Sequence, residues 1–257
     1  MSSARLSTLW IGPALGAVER ACLRSALRQG HPVSLYCYRT PDGVPDGVEI
    51  RDAADVLPET RILHHHTGSV SLFSNLFRYA LLRRGPGTWI DTDVCLLRPI
   101  DSGEPYLFGR QSPAILNGAV LRPPPDSPLL EPLIRLFDET EIPFWLSPAE
   151  QDAAAIRLRE TGRAGLSLMP WGTAGPGALT ALAARAGFGS LALPEATFYP
   201  VSYQRAGWIL NPAIRLDDVV RPETIAVHLW NELIKSCKEA PAPDGSFLAR
   251  LQAEGRP

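Results

Sequence analysis

The sequence predicts a single α/β domain with loop insertions. Three observations carry that prediction. A strand, a helix and a second strand follow one another within the first 38 residues, the pattern of a βαβ unit. A clear amphipathic helix over 69–84 runs through a glycine-rich break into a short apolar strand at 88–91. The chain has 257 residues, of which 45% are apolar and 20% charged, enough for one large core without disulfide staples.

The elements follow in order. Ser7 to Ile11 is a short apolar run stopped by Gly12-Pro13, which predicts a strand. Val18 to Gln29 has helical spacing in Ala21, Cys22, Leu23, Ala26 and Leu27, and Gly30 stands where a C-terminal glycine cap belongs. Val33 to Tyr38 is a β-rich run, and Val48 to Ile50 follows two Pro-Asp-Gly turns as the next strand. Over Ser69 to Arg84, Phe73, Leu76, Phe77, Ala80 and Leu81 form an apolar stripe. The helix ends at Gly85-Pro86-Gly87, and Thr88 to Asp91 reads as a strand. Further strands are predicted at Pro105 to Phe108, Ala114 to Leu121 and Ile225 to Trp230. Further helices are predicted at Ser127 to Phe137, Pro148 to Arg159, Pro176 to Ala186 and Phe247 to Ala253. Pro176 takes the first helical position favoured by proline. No internal repeat divides the chain, so 1–257 reads as one domain.

Composition excludes several classes. With 25 basic and 27 acidic residues, net charge −2, no basic excess points to nucleic acid. Only two of the basic residues, Lys235 and Lys238, are lysines. The cysteines Cys22, Cys37, Cys95 and Cys237 are far apart and show no Cys-x-x-Cys spacing, which predicts reduced, mostly buried thiols. No run approaches the ~18 apolar residues of a membrane-spanning helix, and the N-terminus lacks the order of a secretory signal. The expectation is a cytoplasmic protein without an integral membrane segment. Peripheral contact with a membrane stays open, although Arg83-Arg84 beside Leu81-Leu82 is too small a patch to argue for it.

The chemistry is concentrated in Ser74-Asn75-Leu76-Phe77-Arg78-Tyr79 and, ten residues on, Trp89-Ile90-Asp91-Thr92-Asp93. Past the strand's end, Asp91 and Asp93 can converge on one divalent ion, and oxygen ligands suit Mg²⁺ or Mn²⁺. Such an ion keeps positions that a diphosphate can fill, and it acts as a Lewis acid on the leaving group. Asn75, Arg78 and Tyr79 are helical neighbours and lie away from the Phe73/Phe77 stripe, so they can look into the same cleft. Arg78 can meet a phosphate or orient an aspartate; its alternative reading is a surface arginine on an amphipathic helix.

These two segments resemble the signature of the DXD-containing sugar transferases of glycosyltransferase family 32. That group is related to α1,4-galactosyltransferases, yeast mannosyltransferases and, more remotely, the clostridial glucosylating toxins. Leu9-Trp10-Ile11-Gly12-Pro13 resembles the family's opening strand, and Leu116-Asn117-Gly118-Ala119 its Asn-containing strand behind the donor sugar. Thr173-Ala174-Gly175-Pro176-Gly177 resembles its Thr-Gly-Pro helix start, and Val227-His228-Leu229-Trp230-Asn231 its late His-x-Trp segment. The matches run in family order from Trp10 to Asn231. Asn75 departs from the usual aspartate, Gly85-Pro86-Gly87 from Gly-Gly, and Trp89 from tyrosine.

The resemblance implies a GT-A-like, Rossmann-like mixed central sheet flanked by helices. Residues 1–100 would form the nucleotide-donor half, and 101–257 the acceptor half with a C-terminal lid. It implies a metal-dependent, retaining transfer of a hexose-type sugar from a nucleotide-diphosphate donor, UDP-sugar favoured, to a glycan, lipid-linked glycan or other hydroxyl acceptor. The cation would be Mn²⁺, or Mg²⁺, on Asp91, Asp93 and His228. Asp91, Asp93, Arg78 and Asn117 would be catalytic. The donor would lie against Trp10, Ile11, Gly12, Asn75, Arg78, Tyr79, Trp89, Asp91, Thr92, Asp93, Asn117 and Gly118. Gly175, Pro176, Trp230 and Asn231 would belong to the acceptor side or the lid, with Gln151 and Asp152 there or on an exposed helical turn.

His228, alone in an apolar strand, also reads as a core histidine. His64-His65-His66 cannot all face one ion from a strand, so the run reads as mostly structural. Two other function classes compete. One is a sugar-nucleotide-binding module with weakened catalysis, suggested by Asn75. The other is a haloacid-dehalogenase-type phosphatase, which shares Asp-x-Asp but needs a later lysine followed by an acidic pair.

Overall fold

The computed structural model describes residues 3–85, 87–101 and 103–256. Pro86, part of the expected glycine-rich break, lies outside the described residues. The strands are β1 (Leu6–Leu9), β2 (Val33–Cys37), β3 (Val48–Asp52), β4 (Thr88–Ile90), β5 (Val94–Leu96), β6 (Leu107–Ser112), β7 (Ile115–Arg122) and β8 (Ala226–His228). The longer helices are α1 (Ala17–Arg28), α2 (Ser71–Arg84), α3 (Leu130–Arg135), α4 (Pro148–Thr161) and α5 (Ala178–Arg185). Three single turns, α6 (Glu195–Phe198), α7 (Leu216–Val219) and α8 (Asn231–Ile234), precede the terminal helix α9 (Phe247–Glu254).

Six strands form one mixed sheet in the order β3-β2-β1-β4-β7-β6. β1 pairs in parallel with β2 and β4, and β2 with β3. β7 runs antiparallel to both β4 and β6. The expected mixed sheet flanked by helices is therefore present. From β1 the chain builds outward through β2 and β3, then returns through α2 to place β4 on β1's other side. That reversal opens a crevice beyond the carboxyl ends of β1 and β4, where ligands bind in open α/β sheets. β5 and β8 form a separate antiparallel pair beside this crevice.

Two apolar layers cover the sheet. Leu6, Ile90 and Val120 pack with α1, the β5/β8 pair and α9. Leu9, Trp89 and Leu121 pack with α2, α3 and α5. Each layer draws on both sides of residue 100, so the expected donor and acceptor halves share one sheet and two cores. The terminal helix is part of this core. Leu248 and Leu251 are buried, Arg24 of α1 donates to the Glu254 carbonyl at 2.5 Å, and Arg28 pairs with Glu254 at 2.8 Å.

Some elements differ from the sequence expectation. α2 buries Leu72, Tyr79 and Leu82 besides Phe73, Leu76 and Phe77, while Ala80 and Leu81 are only half-buried. It packs against β1 and β4, α3 and the 173–177 turn, so it is covered on more than one side. The helix expected from Pro176 begins at Ala178. Proline bars its predecessor from helical geometry, and Gly175 has φ −106° and ψ −107° in a π-type turn. The helix expected over Ser127 to Phe137 is only Leu130–Arg135 with a following 3-10 turn. Gly30 has φ 80°, the left-handed value its capping role requires. All four cysteines are free, and three are buried. No helix among the described residues is long and apolar enough to cross a membrane.

Candidate metal centre

Asp91 directly follows β4, where its backbone N–H donates to the Ala119 carbonyl at 2.8 Å. The Val94 N–H then donates to the Asp91 carbonyl at 3.1 Å. This turn carries Asp91 and Asp93 beyond the strand's end, with Thr92 between them. β5 continues from the turn, and Val94 pairs with His228 across the antiparallel ladder to β8. One ligand atom from each of Asp91, Asp93 and His228 lies within 4.8 Å of the others, so the three can hold a metal ion. Thr92 is half-buried between the two acids.

Each carboxylate is held differently. Asp91 Oδ1 accepts from Arg78 Nη2 and from the Trp89 indole N–H, both at 2.6 Å. Arg78 is nearly buried, with 7% of its side chain exposed, against 26% for Asp91. Its guanidinium carbon lies 5.0 Å from the Trp89 ring centroid, a cation–π contact. Asp93 Oδ2 lies 3.2 Å from His228 Nε2 and accepts the Asn231 backbone N–H at 2.7 Å. His228 Nδ1 is buried and has no hydrogen-bond partner among the described residues.

The titrations separate accordingly. Burial pushes the Asp91 carboxyl up from its ordinary value; Arg78 opposes this and Asp93 adds to it. Burial works the same way on Asp93, but the His228 imidazole and the Asn231 N–H outweigh it and hold that carboxyl below its ordinary value. Burial disfavours the charged imidazole of His228, yet Asp93 and Asp91 outweigh it and the His228 pKa is raised. The arrangement without a metal is an Asp93–His228 pair beside an Asp91–Arg78 pair.

Backbone geometry supports this placement. Trp230 has φ 61° and ψ 55°, left-handed values rare for a bulky residue. That bend aims the next N–H, of Asn231, at Asp93. The strain is held by packing, for the Trp230 ring lies 4.3 Å edge-on from His228 and its N–H donates to the Val201 carbonyl at 2.9 Å. Strained residues of this kind cluster at functional sites.

The other expected residues are distributed around and beneath this centre. Trp10, Ile11 and Gly12 leave the end of β1 at the crevice, with the Trp10 indole N–H buried and unpartnered among the described residues. A Cβ on Gly12 would stand 3.1 Å from that nitrogen, so the glycine makes room for the ring. Asn75 lies against the 173–177 turn, where a Cβ on Gly175 would stand 3.1 Å from its amide nitrogen. Tyr79 and Trp89, expected beside the donor, are interior residues at 0% and 1% exposure. Tyr79 donates to the Ala174 carbonyl at 3.1 Å, and both side chains brace the site from below.

Asn117, expected behind the sugar, has its amide engaged with Gln111 at 2.6 Å and with the Ala119 N–H at 2.7 Å. Gln151 is half-buried and donates to the Leu146 carbonyl at 2.8 Å, while Asp152 is exposed in the first turns of α4. His65 is bonded to Met169 and Thr67, as the structural reading of the histidine run requires.

Gly118 has a sharper role than its expected one. A Cβ there would stand 2.6 Å from Arg78 Nη1, so the glycine opens the space in which the guanidinium reaches Asp91. A glycine within a β-rich run is the sequence signal for such an approach. Glu19 and Lys238 also adjoin the centre, and nothing in their local sequence marks them. No protein-family model matches this chain, and no curated protein matches its sequence.

Proposed function

We propose that the protein is a metal-dependent sugar transferase of GT-A type that uses a nucleotide-diphosphate donor. One observation carries this reading. Asp91, Asp93 and His228 converge beside the carboxyl ends of β1 and β4, with Arg78 locked onto the same cluster. The donor set fits a cation: two carboxylates and one imidazole, whose Nε2 lies beside Asp93. The imidazole favours a transition ion such as Mn²⁺ over Mg²⁺. A bound cation there supplies Lewis acidity towards a diphosphate.

The chain's own residues do the rest. Arg78 holds Asp91 in place and adds a fixed positive charge where a departing diphosphate gathers negative charge. Asp93 is fixed by the Asn231 N–H, so the cluster needs little rearrangement. Trp10, Ile11 and Gly12 at the end of β1 form the wall for the nucleotide. A hydroxyl of a glycan or lipid-linked glycan acceptor attacks the anomeric carbon on the face that the diphosphate leaves; the bond from that carbon to the diphosphate breaks, the leaving phosphate takes the hydroxyl proton, and configuration is retained.

The phosphatase reading lacks its lysine. Lys235 is exposed and pairs with Glu232, and Lys238 pairs with Glu19; neither meets Asp91 or Asp93 directly. The test is a panel of UDP- and GDP-sugars incubated with Mn²⁺, read by release of the nucleoside diphosphate. Release from at least one donor that disappears in Asp91→Asn and Asp93→Asn supports the reading. Metal-dependent release that persists in both variants refutes it, and binding without release indicates the weakened binding module.

A further inference from the structure

A second set of buried charges lies behind the centre. Glu19 of α1 is fully buried, and Lys238, four residues after α8, is 9% exposed. The Lys238 ammonium pairs with Glu19 Oε1 and donates to Asn231 Oδ1 at 2.6 Å. Asn231 is the residue whose backbone N–H holds Asp93 Oδ2 at 2.7 Å. A continuous line of polar contacts therefore runs from α1 through Lys238 and Asn231 to a candidate metal ligand.

Three facts argue that this line is more than packing. Removing an ammonium and a carboxylate from water is unfavourable, and such a pair stabilises a fold no better than apolar side chains of similar volume. In a chain with 25 basic residues and only two lysines, one lysine occupies this interior position. Its compact ammonium can donate to Glu19 and Asn231 together, where a planar guanidinium has a fixed fork. Third, the line ends on a strained backbone. Trp230 is left-handed, and Asn231 stays aimed at Asp93 only if something holds the residue after the bend. Lys238 is itself anchored, because Gln252 of α9 donates to its carbonyl at 2.9 Å.

We infer that Glu19 and Lys238 are positioning residues: together they clamp the Asn231 side chain, and so fix the N–H that orients Asp93. The inference rests on the metal-site reading for its function, but the clamp itself can be measured without a metal. Outer-shell partners of metal ligands typically change affinity by about 10–100-fold when removed. The clamp reaches Asp93 by that kind of route.

The test uses the full chain with Glu19→Leu/Lys238→Met, which replaces the pair by apolar groups and leaves no lone buried charge. A second variant, Asn231→Ala, keeps the ion pair and the backbone N–H but removes the clamped oxygen. Two readouts are taken: amide hydrogen exchange at residues 229 and 231 in metal-free protein, and Mn²⁺ affinity from the spin-resonance signal of free Mn²⁺. The Leu229 N–H donates to the Asp93 carbonyl within the strand pairing, so it reports on the fold. Both variants should exchange at residue 231 at least about tenfold faster with Leu229 unchanged, and bind Mn²⁺ about 10–100-fold more weakly. Exchange at residue 231 within twofold of the parent, in either folded variant, overturns the clamp. Failure of the parent chain itself to bind Mn²⁺ would instead overturn the metal reading, while the exchange result still decides the clamp.

Discussion

Gly118→Ala tests the geometry of the centre without any assumption about substrate. The added Cβ would stand 2.6 Å from Arg78 Nη1, against about 3.4 Å for ordinary contact, so the guanidinium must retreat by roughly 0.8 Å. It has little freedom, being buried with Nη2 bonded to Asp91 at 2.6 Å. A retreat of that size can break a charge-assisted hydrogen bond worth about 1.5–3 kcal/mol. Glycine to alanine in a strand otherwise stabilises by about 0.5–1 kcal/mol. The net loss is then about 1–2 kcal/mol, a fall in Tm of roughly 2–8 °C for a chain of this size. The decisive assay is a double-mutant cycle by denaturant unfolding. In an Arg78→Met background the guanidinium is gone, and Gly118→Ala should be neutral or mildly stabilising. A coupling of about 2 kcal/mol or more is expected; additivity within about 0.5 kcal/mol would refute the assigned contact.

Other outcomes follow from the same geometry. Mn²⁺ at 100 times its Kd should stabilise the native protein by about 2.7 kcal/mol, read as a rise in Tm, and Asp93→Asn should remove that rise. Because the His228 pKa is raised, the stabilising proton is fully held below the ordinary imidazole value of about 6.5, and its contribution is lost as pH rises through the higher folded value. Mn²⁺ affinity should move the opposite way, rising over that window as the competing proton leaves, and titrations at several pH values against His228→Gln check both signs. Gly255→Ala drives a methyl group into the Ala17 carbonyl and should undock the end of α9, lowering stability by about 1–3 kcal/mol in denaturant melts.

Local sequence made much of the fold legible. Apolar and β-rich runs bounded by glycine and proline turns located most strands, and the apolar stripe and Gly30 located α1 and α2, because these signals are local. Convergence of Asp91 and Asp93 was also legible, since an Asp-x-Asp at the end of an apolar strand sets two carboxylates on one side of the chain. Burial of Tyr79 and Trp89 was not. Seen in sequence, α2 has one apolar stripe, but α3 and the 173–177 turn pack on it as well, and those contacts join residues far apart in the chain, such as Tyr79 and Ala174, 95 positions apart. Glu19 and Lys238 were invisible for the same reason: 219 positions separate them, and neither sits in a recognisable pattern.

The charges of the centre explain why these residues belong together. In the metal-free chain, two carboxylates face a guanidinium and an imidazole whose pKa they raise, and with that imidazole protonated the cluster is close to neutral. The positive partners oppose burial at both acids: at Asp93 they outweigh it, and at Asp91 Arg78 only offsets part of it. Exchange of the imidazole proton for a divalent cation would leave the cluster with one net positive charge, beside the crevice at the ends of β1 and β4. A pyrophosphate group entering there would meet the cation and the Arg78 side together. A neutral ligand would gain nothing from the exchange, so metal-dependent affinity should grow with the number of phosphates on a nucleoside. Equal Mn²⁺-dependent binding of a nucleoside and its diphosphate, measured calorimetrically at one ionic strength, would break the link between this charge balance and diphosphate chemistry.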